Sequence, residues 1–221
     1  MRATQLDLSF QEPKQRGGAR LGAGRKPKAA HLRHTPHRAR PVHRKAHPVH
    51  VTLRAGFRSL RAQRVARVVL VGTRDSNRDW FRIVHYSVQD NHIHLIVEAD
   101  DKSTLSSGVR GLMVRIARRV NAVLQRRGRF WTDRWHGRDL EGPRQVRNAL
   151  VYVLQNHKKH AGNTALDPLS SAGSFDGFAS ALPQTFRSTG PPCVAAAKTW
   201  LLRIGWRKGG LIRLTEAPAR R

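Results

Sequence analysis

The chain predicts an α+β fold, a ferredoxin-like antiparallel sheet with flanking helices. Three observations point there. Short stretches at His47–Leu53, Trp80–Val88 and His92–Glu98 are rich in apolar and β-prone residues, with the alternation of half-buried strands. Other stretches carry apolar residues three and four apart, the spacing of amphipathic helices. The elements follow one another as β-α-β-β-α-β-α, an order that folds into a split βαβ sheet with one added helix.

Taken in order, His47-Pro48-Val49-His50-Val51-Thr52-Leu53 opens the core as a strand. Phe57 to Val71 places Phe57, Leu60, Val65, Val68 and Val69 on one helical face. The second and third strands are joined by the tight turn Gln89-Asp90-Asn91, which makes them a hairpin. Asp101, Ser103 or Thr104 can cap a long helix whose inner face uses Leu105, Val109, Leu112, Ile116, Val120 and Val123, and Gly128 ends it. Phe130 to Leu140, with Trp131 and Trp135, supplies a fourth strand. Pro143 suits the first turn of a last core helix reaching about His160.

Composition bounds what such a fold does. Among 221 residues, 42 Lys and Arg stand against 14 Asp and Glu, a formal charge of +28 that calls for a polyanionic partner, with nucleic acid foremost. The single cysteine, Cys193, excludes an internal disulfide and a cysteine-rich zinc site. No run approaches the ~18 apolar residues of a membrane span, and the first residues lack a signal-peptide core. A cytoplasmic, DNA-accessible compartment is expected, with no membrane partner.

Residues 1–46 hold 12 Lys and Arg against Asp7 and Glu12 without apolar periodicity, so they read as a disordered basic arm. Within it, Arg25 and Lys26 of Gly22-Ala23-Gly24-Arg25-Lys26-Pro27 resemble a minor-groove insert of the AT-hook type, with generic attraction to phosphates the favoured alternative. Residues 47–161 form the core domain. Residues 162–221 form a loop-rich extension, with Gly, Ser, Pro and Ala dominating to about Val194. Its last part, around Trp200-Leu201-Leu202, folds as a short helix and turn back onto the core or against nucleic acid. The ends are expected to pack poorly.

The chemistry concentrates at Asn91-His92-Ile93-His94-Leu95-Ile96. Side chains alternate along a strand, so His92 and His94 share one face while Ile93 and Leu95 share the other. Two imidazoles so placed are half a metal site, and a third ligand is needed to complete it. The last core helix offers one. At ~100° per residue, Tyr152 and Asn156 fall one turn apart on a flank of its apolar stripe, whereas Gln155 points toward solvent. Only Tyr86 and Tyr152 are available as phenols, and Tyr86 reads as packing. A phenol that ionises near ~10 attacks a phosphodiester poorly unless a metal polarises the phosphate.

Asn91-His92-Ile93-His94-Leu95-Ile96-Val97, a long helix, Gly128 to Trp131 as Gly-x-x-Trp, and Tyr152-x-x-x-Asn156 resemble the single-tyrosine HUH transposases. Within that group, of insertion-sequence 200-like type, the REP-associated tyrosine transposases are the nearest likeness. The resemblance implies His92, His94 and Asn156 as ligands of Mg or Mn. It implies Tyr152 as the nucleophile that cleaves single-stranded or hairpin DNA, leaving a 5′-phosphotyrosine and a free 3′-hydroxyl. Relatives include monomers and dimers, so a homodimer is one expected assembly. Asp90 and His157 stand where many relatives have proline.

The same residues frame the DNA. Arg110, Arg118, Arg119, Arg126 and Arg127 give the long helix a basic surface for phosphates, and Trp131 and Trp135 are available to stack on unpaired bases, though core packing is the favoured reading for both. The alternative is a non-catalytic nucleic-acid binder that kept the fold. A hydrolytic nuclease using metal-bound water is a third reading, which would tolerate loss of Tyr152.

Overall fold

The computed structural model describes residues 42–158, 166–186 and 193–218. The basic arm with Arg25 and Lys26 lies outside them, except for its last residues. Those residues already belong to the core: His43 is buried, its Nε2 donates to the Ala99 carbonyl at 3.1 Å, and its Nδ1 lies 3.5 Å from Asp139. The core therefore takes in residues before 47.

Four antiparallel strands form one sheet in the order β2-β3-β1-β4: β1 Val49–Arg54, β2 Phe81–Val88, β3 His92–Ala99 and β4 His136–Asp139. Helices α1 (Gln63–Arg74) and α2 (Lys102–Val123) cover one face; α3 (Pro143–Gln155) covers the other. Alternation decides which residues go where. Val49, Val51, Leu53, Ile93, Leu95 and Val97 enter the core under α1 and α2. One irregularity interrupts the β2–β3 register: Ile83 pairs with Val97 but His85 with Ile96, so Val84 is the extra residue of a bulge. That insertion lets Ile83 and Tyr86, of opposite parity, both join the α2-side core.

Close approach, not only apolarity, seats α2. A Cβ added at Gly108 would stand 2.2 Å from the Phe81 ring, so the helix backbone lies directly on β2. Asp101 caps its start: Thr104 N–H donates to Asp101 Oδ1 at 2.8 Å while Asp101 N–H donates to Thr104 Oγ1 at 2.9 Å. This reciprocal pair is a capping box.

Several boundaries differ from the sequence reading, each for a local reason. Helix α1 starts at Gln63 rather than Phe57 because Asp90 of the hairpin turn captures the preceding loop. Its carboxylate accepts from Ser59 N–H (2.9 Å) and its carbonyl from Leu60 N–H (2.9 Å). Helix α2 ends at Val123, before Gly128. Gln125 takes the left-handed position (φ 50°), Arg126 N–H reaches the Asn121 carbonyl at 2.9 Å, and Gln125 N–H reaches Ala122 at 3.1 Å, completing a Schellman motif. The fourth strand shrinks to His136–Asp139 because Phe130 and Trp131 are diverted inward. Trp131 makes only an isolated bridge to Ala55. Helix α3 stops at Gln155, short of His160, which lies outside the described residues.

The C-terminal extension is not a poorly packed end. Its described residues include α4 (Trp200–Arg203) and a 3₁₀ turn at Gly205–Gly209. Together they close the second core: Trp206 is 1% exposed and its indole N–H donates to the Leu202 carbonyl at 3.0 Å. The anchor is charged. Glu98, fully buried on β3, pairs with Arg82 at 3.0 Å and accepts the Lys198 and Thr199 N–H groups at 2.9 and 2.8 Å. No described helix is long and apolar enough to cross a membrane.

Candidate active site

Strand alternation sends His50, Thr52 and Arg54 of β1 and His92 and His94 of β3 to the α3 side of the sheet, opposite the residues of the α2-side core. The antiparallel register sets Thr52 against His94 and Arg54 against His92. On α3 the apolar residues Val146, Leu150, Val153 and Leu154 face inward, which turns the Tyr152 flank toward β3. The result joins residues 58 apart in the chain: Tyr152 Oη lies 3.4 Å from His94 Nε2. The two rings meet edge to face with centroids 4.9 Å apart; His92 and His94 rings stand 4.7 Å apart.

Hydrogen bonds orient both imidazoles. Asn91 Oδ1 lies 2.8 Å from His92 Nδ1, and a carbonyl oxygen can only accept, so that nitrogen carries the proton and the lone pair sits on Nε2. Thr52 Oγ1, 3.1 Å from His94 Nδ1, can accept in the same way and place the His94 lone pair on the Nε2 that faces Tyr152. His50 Nε2 stands 3.3 Å from the same Nδ1, and its ring lies 5.5 Å from that of Tyr152. His50, Thr52 and Asn91 were not picked out as site residues from the sequence. The period-2 run His50-Val51-Thr52-Leu53-Arg54 carried the signal, because it sends every second residue to the face that the histidine pair shares.

Asn156 caps α3 in helical conformation (φ −60°, ψ −34°), one turn beyond Tyr152. It is 2% exposed, yet neither Oδ1 nor Nδ2 has a hydrogen-bond partner among the described residues. A buried amide left in that state costs on the order of 1–3 kcal/mol, a debt that a bound ligand removes. Among the described residues no group of three His, Cys, Asp or Glu side chains is placed to hold a metal. The side chains that could hold a divalent cation here are the imidazoles of His92 and His94 and the unpartnered amide of Asn156.

Other sequence assignments fare differently. Gln155 is not solvent-facing: it is fully buried and its Nε2 donates to the Arg213 carbonyl at 3.0 Å, because the extension covers that side of α3. Tyr86 is 7% exposed in the α2-side core, and desolvation there pushes its phenol well above the ordinary tyrosine range. Trp131 is no open stacking platform. It is 8% exposed, and its indole N–H donates to the Met113 carbonyl at 2.9 Å. Trp135 is equally buried.

Arg110, Arg118 and Arg119 of α2 sit on the layer opposite the imidazoles, and Arg126 and Arg127 follow the end of that helix. Arg110, Arg118 and Arg127 are exposed. Arg119 is held by Asp75 at 2.6 Å, and Arg126 donates to the Arg129 carbonyl at 3.2 Å while lying over Phe130. Bonding to Arg119, then to Arg74, keeps the Asp75 carboxyl below the usual carboxylate range.

Residues 53–156 match the family model described as "Transposase IS200 like". Comparison with curated proteins gives no match. Among solved structures, the chain is similar to one described as "Structure of the REP associates tyrosine transposase bound to a REP hairpin". The identity is 16% and the TM-score 0.50, over 74% of this chain and 93% of that one. At this identity the likeness speaks to fold: both chains share the antiparallel sheet with flanking helices.

Proposed function

We propose that the protein is a single-tyrosine HUH transposase, a reading supported by the match of residues 53–156 to the IS200-like transposase model. It cleaves and rejoins single-stranded or hairpin DNA through a covalent 5′-phosphotyrosine. One observation carries this reading: the Tyr152 hydroxyl lies 3.4 Å from the imidazole of His94, a residue brought to it from another element of the fold.

His92 and His94 through Nε2, with Asn156 through its amide oxygen, would hold Mg or Mn. That cation, when bound, supplies a Lewis acid that neutralises phosphate charge and lowers the barrier to a weak phenol nucleophile. Asn91 and Thr52 hold the two imidazoles in the required orientation. Tyr152 Oη attacks phosphorus, the P–O3′ bond breaks, and the departing oxygen takes a proton to become a free 3′-hydroxyl. One phosphoester replaces another, so rejoining by the reverse attack needs no added energy source.

DNA has room beside the sheet. Two adjoining cavities of about 480 and 430 Å³ share Ser106 and Trp135 at the β4 edge, with Lys102, Arg110, Arg134 and Arg138 on their walls. Asp133, Asp139 and Glu141 also line these cavities, and the cations among them suit a phosphodiester backbone. The structural relative's description names a REP hairpin, and a hairpin with a single-stranded flank is the substrate class we propose here.

Incubation of the full chain with labelled hairpin DNA and Mn should yield a protein–DNA band that survives denaturation. Tyr152→Phe should abolish it while DNA affinity stays within about twofold (under ~0.5 kcal/mol). An adduct formed by the Phe protein would refute the assignment. His92→Ala should remove both metal dependence and cleavage; full activity in chelator would contradict the metal site.

A further inference from the structure

On the reading above, we propose that Arg54 is the anion subsite of this centre, gripping a non-bridging oxygen of the phosphodiester under attack. Arg54 closes β1 and stands directly across from His92 in the β1–β3 register. Residues so opposed in antiparallel strands carry Cβ atoms about 4.5–5.5 Å apart. Its parity matches that of Thr52, which touches His94, and of His50, which packs edge-on against Tyr152. The three share one face of one strand, and Arg54 is the cation among them.

Two further observations separate it from an ordinary surface arginine. Its backbone is held: the Arg54 carbonyl accepts from both Thr132 N–H (3.0 Å) and Thr132 Oγ1 (3.1 Å), which fixes the strand end from which the side chain springs. Its guanidinium is exposed, and among the described residues no carboxylate, carbonyl or ring engages it. Neighbouring arginines are committed elsewhere. Arg61 makes a two-pronged bond to Asp167 at 2.8 Å, and Arg129 binds the Trp131 and Thr132 carbonyls.

Charge completes the argument. An arginine set across the register from His92, together with a divalent cation held by the imidazole pair, would make a locus of positive charge. A phosphodiester has two non-bridging oxygens and one negative charge. One oxygen can face the cation site while the other accepts from Arg54, a division for which a planar guanidinium is suited. As negative charge builds on those oxygens during attack, the bond to Arg54 strengthens, so its effect falls on rate more than on affinity.

The test measures adduct formation under single-turnover conditions, with Mn and hairpin DNA, for wild type, Arg54→Ala and Arg54→Lys. Affinity is measured in parallel by anisotropy. Arg54→Ala should slow adduct formation about 100-fold with affinity changed less than about threefold, and Arg54→Lys should recover part of the rate. A second measurement does not use activity. DNA with an uncharged methylphosphonate at the mapped cleavage junction should bind wild type more weakly than native DNA, and bind Arg54→Ala equally well.

A wild-type adduct formed at an undiminished rate by Arg54→Ala, or a rate loss matched by lost affinity, overturns the subsite alone. Absence of any wild-type adduct overturns the transesterification reading and the subsite with it. Should the alanine protein misfold, Arg54→Lys and the methylphosphonate comparison on wild type still decide.

Discussion

Replacing Glu98 with alanine tests how the extension governs the site. Glu98 is 0% exposed and meets three groups at once: the Arg82 guanidinium and the Lys198 and Thr199 amides that open α4. Deletion strands Arg82, itself 6% exposed, with the Asp79 carbonyl as its remaining bond. Breaking one side of a buried pair costs about 3–5 kcal/mol. The two amides are partly exposed and water can replace the carboxylate there, so the total should stay near ~4 kcal/mol. For a chain of this size that corresponds to a fall in melting temperature of about 8–16 °C.

Urea denaturation gives the free energy, and limited proteolysis reads release of residues 195–218. Because Gln155 and Lys158 of the Tyr152 segment bond to the Arg213 and Leu214 carbonyls, release should also reduce adduct formation. The double replacement Arg82→Met with Glu98→Leu should restore most of the stability, since no buried charge is then left alone. A loss below ~1 kcal/mol for Glu98→Ala, or a double variant as unstable as the single, would refute this reasoning.

Three more outcomes are expected. Gly108→Ala gains helix propensity of about 1 kcal/mol but drives a methyl into the Phe81 ring; overpacking of about 1–3 kcal/mol should prevail and lower the urea midpoint. Burial lowers the His85 pKa from 6.5 to about 4, so between those values the unfolded chain binds more protons. Stability is then full above pH 6.5 and falls as pH drops toward 4, by about 3 kcal/mol in all. In His85→Gln, urea curves across that range should lose this slope, and an unchanged slope would assign it elsewhere. Asn156→Ala should raise the Mn concentration for half-maximal adduct formation at least about tenfold, or ~1.4 kcal/mol, with little loss of stability, since its amide has no hydrogen-bond partner among the described residues. An unaltered Mn requirement would remove Asn156 from the ligand set.

Local periodicity made much of this protein legible in the sequence. Alternation placed His92 and His94 on one face, and helical spacing put Tyr152 and Asn156 on one flank, because both follow from the geometry of a single element. Charge announced a polyanionic partner. Boundaries were less legible because contacts from distant residues set them: Asp90 delays α1, and a Schellman turn at Gln125 ends α2 ahead of the glycine.

Tertiary structure alone decided which element covers which face. The sheet has two sides, and a sequence that alternates correctly does not say which helix lies on either. Only the fold puts α3 over the imidazoles and α2 on the far layer, so Tyr152 meets His94 while the α2 arginines do not share their face. It also turned Trp131 inward and Gln155 away from water, through burial by segments remote in the chain. His50, Thr52 and Arg54 share the face of the imidazole pair through antiparallel register, a relation between strands that neither strand carries by itself.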